Sequence, residues 1–126
     1  MANDQSYSNP RWAASHELAL GRITPTVSGD AAEVVARHAF FTNVKVLELR
    51  AQMMVAGKGD TSGFDVYKGT ASIGQILFGT NTAGSTIDAS LTDTDFDADA
   101  VLSLQNIVAT DTGSAFVTAV YQERYA

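Results

Sequence analysis

The chain has 126 residues, with 8 Lys and Arg against 14 Asp and Glu, a formal charge of −6 and no cysteine. That length suits one domain burying about two-thirds of its unfolded surface without covalent staples, and the missing thiols exclude disulfides, thiolate chemistry and cysteine zinc sites together. Few, unclustered basic side chains argue against nucleic acid, and no apolar run approaches the about 18–20 residues of a membrane-spanning helix.

The first 20 residues differ from the rest. MANDQSYSNPRW has neither the basic start nor the apolar core of a signal peptide; a cytosolic site of synthesis fits the absence of cysteine. Two readings stand for this segment: a loose terminus, or an arm docking on a neighbouring subunit. Tyr7, Pro10, Arg11 and Trp12 would be the arm's contacts, because Tyr, Trp and Arg are the usual anchors of interfaces, and they bring the arm level with the otherwise commoner loose terminus. The organisation adopted as the expectation is an arm over 1–20 and a folded β-sandwich domain over 21–126.

Strand patterning begins at Gly21. Ile23 and Val27 among threonines predict a first strand, with Ser28-Gly29-Asp30 as a turn. AAEVVARHAFF (31–41) suits a short helix or an irregular strand and is read as strand from its β-rich neighbours. From Asn43 to Val55, Val44 and Val46 follow one parity, whereas Leu47, Leu49, Ala51, Met53 and Val55 follow the other. A β-bulge shifts parity in this way; coverage of both faces of the strand does so equally.

Gly57 to Thr86 alternates short apolar runs (Phe64, Val66; Ile73, Leu77) with Gly, Thr, Ser and Asn clusters, predicting a meander of antiparallel strands. Ile87–Leu91, Ala100–Val108 and Ala115–Tyr121 supply further strands, with Asp111-Thr112-Gly113 as a turn. About eight short strands at ten-residue spacing predict an all-β, antiparallel sandwich or barrel.

Asp93, Asp95, Asp97 and Asp99 are the strongest chemical constellation. Four carboxylates at alternate positions offer hard oxygen ligands for Ca²⁺, although Ala98 and Leu104 break the EF-hand pattern. The competing reading, a solvated acidic turn that blocks edge pairing, is preferred. His16 and His38 lie in unrelated segments, and His38 beside Phe40 reads as a packed or interface histidine. Asp65 and Lys68 most simply decorate the wet face of a strand. With no G-x-S-x-G elbow and no signature around either histidine, no enzyme and no cofactor are expected. Tyr67, Phe78, Phe96, Tyr121 and Tyr125 offer a possible sugar platform, against the commoner use of strand aromatics in cores.

Val66 to Gly74 (VYKGTASIG), Gly79 to Ser85, Asp97 to Leu104 and the terminal YQERY (Tyr121 to Tyr125) resemble small β-sandwich virion proteins of tailed bacteriophages, above all capsid decoration (cement) and head-fibre-base proteins. The resemblance implies a jelly-roll-like sandwich carried in multiple copies, often trimers, on the capsid surface. It implies the major capsid protein as partner and synthesis in the host cytoplasm. No functional residue transfers, because such proteins act through variable surfaces. The alternatives are a carbohydrate-binding module or receptor-binding fibre domain, and a tail or neck component.

Overall fold

A computed structural model describes residues 15–23, 34–57, 60–107 and 113–124. Nine strands follow in chain order: β1 (Ser15–Ile23), β2 (Val34–Ala39), β3 (Val44–Val55), β4 (Asp60–Lys68), β5 (Ala71–Gly79), β6 (Thr86–Asp88), β7 (Asp95–Phe96), β8 (Val101–Ile107) and β9 (Ser114–Glu123). They form two antiparallel sheets, ordered β1-β9-β3-β6, with β7 also on β3, and β2-β8-β4-β5. Setting the two-residue β7 aside, first pairs with last, second with seventh, third with sixth and fourth with fifth. That nesting is the jelly roll, a long antiparallel ribbon rolled so that successive pairs fall in alternate sheets.

The tip of the ribbon is the β4–β5 hairpin. Lys68 pairs with Ala71, leaving the two-residue loop Gly69-Thr70. Gly69 has φ +60° and occupies the first loop position, which a type II′ turn reserves for glycine. After this hairpin the chain changes sheets. The expected meander over 57–86 is therefore one hairpin in one sheet, followed by β6 at the rim of the other.

The core lies between the sheets. Val44, Val46, Leu49, Ala51 and Met53 of β3, with Ala115, Val117 and Ala119 of β9, face Phe64, Val66, Ile76, Phe78, Leu102 and Leu104. Each large side chain so buried contributes about 1.5–3 kcal/mol of transfer free energy. The parity change in β3 is a bulge: the register shifts between Val46 and Glu48, and Leu47 is turned out to solvent. In β5 the expected alternation of Ile73 and Leu77 is corrected. Ile73 is buried, but as the extra residue of a second bulge; the regular inward positions of β5 are Ile76 and Phe78, and Leu77 is 41% exposed.

The N-terminal boundary also moves. Ser15 to Leu20, expected within the arm, already belong to β1 and pair with β9. Tyr7, Pro10, Arg11 and Trp12 lie outside the described residues, as do Val27, the 28–30 turn, Val108, residues 111–112 and Tyr125. Of residues 31–41, read as strand, 34–39 form β2, Phe40 and Phe41 lie past its end, and 31–33 lie outside the described residues.

Candidate functional site

The acidic segment is clasped by two basic side chains. The Lys68 ammonium donates to Asp93 Oδ2 at 3.0 Å and to the Asp95 carbonyl at 2.6 Å, and stands 5.6 Å from the centre of the Phe96 ring. Arg124 donates to Asp97 Oδ1 at 2.8 Å and to the Val44 carbonyl at 3.0 Å, with Asp95 Oδ1 3.7 Å away. Asp99 has φ +70°, and its N–H donates to the Phe40 carbonyl at 2.7 Å. The carboxylates are thus divided between two cations, Asp93 on Lys68 and Asp95 and Asp97 on Arg124, and no group of three or more acidic or histidine side chains among the described residues is arranged to hold a metal ion. Lys68, expected on the wet face of β4, instead bridges its strand to this segment.

Behind the clasp lies an aromatic cluster. Phe40 packs edge-on against Phe96 (5.5 Å between ring centres), Tyr121 (5.3 Å) and His38 (4.9 Å), and His16 lies 5.4 Å from Tyr121. His38 is therefore a packed histidine. Phe78 and Phe96 are fully buried, as the commoner use of strand aromatics in cores implied, so these two rings are not open to a sugar.

The hydrogen bond from Lys68, helped by the Asp95 N–H, holds the Asp93 carboxyl below the ordinary carboxylate range. A depressed folded-state pKa stabilises the fold above the unfolded value of about 3.9, and that stabilisation is lost as pH falls through the folded value. The melting-temperature gap between the parent and Lys68→Met should therefore narrow as pH is lowered from 6 to 3. A gap that stays constant across this range in thermal melts would show that the Asp93 pair contributes nothing.

Surface contacts are available elsewhere. The β5 edge is covered by the segment after β6, where the Thr92 N–H donates to the Ile73 carbonyl at 2.9 Å. Edge β1 carries a bulge between Ala19 and Gly21 and the charges Glu17 and Arg22. Such devices discourage strand addition at these two edges. Phe41, in the bend between β2 and β3, is 89% exposed, the most exposed large apolar side chain among the described residues.

On the outer face of the β1-β9-β3-β6 sheet is a hollow of about 280 Å³, lined by Glu17, Arg50, Gln52, Thr86, Phe116, Thr118 and Val120. Sequence reading missed both Phe41 and this hollow. The parity of β9 was the available signal for Phe116: with Val117 inward, Phe116 must point out. A scan against protein-family models, a search of curated proteins and a search of solved structures each returned no match for this chain.

Proposed function

We propose that this chain is a structural virion protein of the capsid decoration (cement) type, binding the head shell of a tailed bacteriophage in several copies. The motifs at 66–74, 79–85, 97–104 and 121–125 support this reading. So does the jelly roll, an architecture recurrent in viral capsid and lectin domains; taken alone, that analogy selects no function.

The observation that carries the reading furthest is Phe41. Single exposed apolar side chains are ordinary, but this ring stands almost wholly in water beside a rigid, clasped end of the sandwich. There it is a preformed anchor that needs little ordering on contact. The major capsid protein is the partner, and a homo-oligomer, a trimer by resemblance, multiplies each weak contact into avidity. Stabilisation follows if the protein binds assembled shell more tightly than dissociated subunits.

The test uses Phe41→Ser and decoration-free heads in a co-sedimentation assay. The variant should melt as the parent does, since little apolar surface is lost from the core. Its affinity for heads should fall by about 2 kcal/mol, close to 30-fold in Kd. Equal binding by parent and variant would remove Phe41 as the anchor. Failure of the parent to bind heads would remove the cement reading.

A further inference from the structure

We propose that the hollow on the outer face of the β1-β9-β3-β6 sheet binds a neutral pyranose unit of a glycan, independently of the shell contact. The hollow follows from side-chain size. Across the sheet, Ala19, Thr118, Arg50 and Asp88 lie in one register row, which begins with two short side chains. The row on one side contains Arg22, Phe116, Gln52 and Thr86; the row on the other contains Glu17, Val120 and Glu48. Thr118 therefore forms a low floor, with Phe116 and Val120 rising on either side.

The groups around this floor match a sugar better than other ligands. Phe116, at 38% exposed, offers an aromatic surface to the apolar C–H face of a pyranose. Arg50 is positioned by Asp88, its Nε–H donating at 3.2 Å, and by Glu48 on its other side. Among the described residues, no side-chain partner engages Glu17, Gln52, Thr86 or Thr118. A carboxylate, an amide and two hydroxyls thus remain able to meet the donors and acceptors of a polyol.

Glu17, Glu48 and Asp88 outnumber the Arg50 and Arg22 guanidinium groups by three to two, so the local field disfavours phosphate, sulfate or an acidic sugar. A purely apolar ligand would strand the carboxylate and amide without water. A neutral ring with one apolar face and peripheral hydroxyls meets both constraints.

The probes are the methyl glycosides of glucose, galactose, mannose and N-acetylglucosamine, and a trisaccharide of each unit, titrated into ¹⁵N-labelled protein. At least one probe should shift amides of β1, β3, β6 and β9 around the hollow. Stronger binding by a trisaccharide marks a glycan chain as the source; equal binding marks a single sugar, and either supports the site. Phe116→Ala should weaken binding at least tenfold, Phe116→Trp should retain it, and both should fold and bind heads as the parent does. Three results would overturn the proposal: no shift with any probe, shifts confined to another face, or unchanged binding by Phe116→Ala.

Discussion

Phe64→Ala should lower the unfolding free energy by about 3–5 kcal/mol, a large share of the about 5–15 kcal/mol that a domain of this kind possesses. Phe64 is fully buried on β4, a strand flanked by β5 and β8, and its ring packs edge-on against Phe78 at 5.5 Å. Truncation removes the transfer free energy of the ring and leaves a cavity between two sheets that cannot close together locally. Urea denaturation should show a lower midpoint with an unchanged slope. A loss below about 1 kcal/mol would mean that the sheets do not share a packed core.

The second large effect belongs to a residue with no side chain. Gly63 pairs with Leu77 on one side and Ile107 on the other, next to the register shift between Asp60 and Gly63. A Cβ built there would lie 1.9 Å from the Ile76 carbonyl oxygen and 3.0 Å from its carbon. Both atoms are backbone, so no rotamer relieves the clash, and the β4–β5 ladder must separate. Gly63→Ala should cost at least about 3 kcal/mol or yield no folded protein. Gly69→Ala provides the contrast. Nothing lies within 4 Å of its added Cβ, and only its φ of +60° opposes the change, at about 1–2 kcal/mol. Circular-dichroism melts of the two variants should rank them in that order; equal stability would contradict the ladder register.

What could be read from the chain depended on whether neighbouring side chains told the two faces of a strand apart. In β3 polar residues separate Val44 from Val46 and Leu49 from Ala51, so the change of parity was visible in the chain, but a bulge and coverage of both faces explained it equally; only the register shift between Val46 and Glu48 decides for the bulge. In β5 Ile76, Leu77 and Phe78 are consecutive apolar residues. Alternation cannot then say which face Leu77 takes, and the bulge at Ile73 is invisible. The start of β1 is hidden in the sequence because it is a half-wet edge strand whose own bulge breaks the pattern of Leu18 and Leu20. Its pairing with β9 joins residues about a hundred positions apart, and local spacing carries no information on such closure.

The same distance hid the hollow. Its lining comes from β1, β3, β6 and β9, and each residue alone looks like ordinary strand decoration. The acidic run was legible as a feature but not in its outcome. Lys68 and Arg124, which clasp it, come from the hairpin tip and the end of the last strand, and only the roll of the ribbon brings them together.

The jelly roll also explains how one small chain can offer two independent surfaces. The bend carrying Phe41 belongs to the clasped end, where Asn43 accepts the Ala98 N–H at 2.8 Å and the Arg124 N–H donates to the Asn43 carbonyl at 2.8 Å. The hollow lies on the outer face of one sheet, where rigid strands fix its lining. Contacts at the first therefore need not disturb the second.

The central claim, that the chain acts as a capsid-bound structural protein, is tested most directly by locating it on the particle. Virions labelled with antibody raised against this chain should carry label at regular positions over the head surface in electron micrographs. Label confined to the tail or neck, or none on intact particles, would contradict the account.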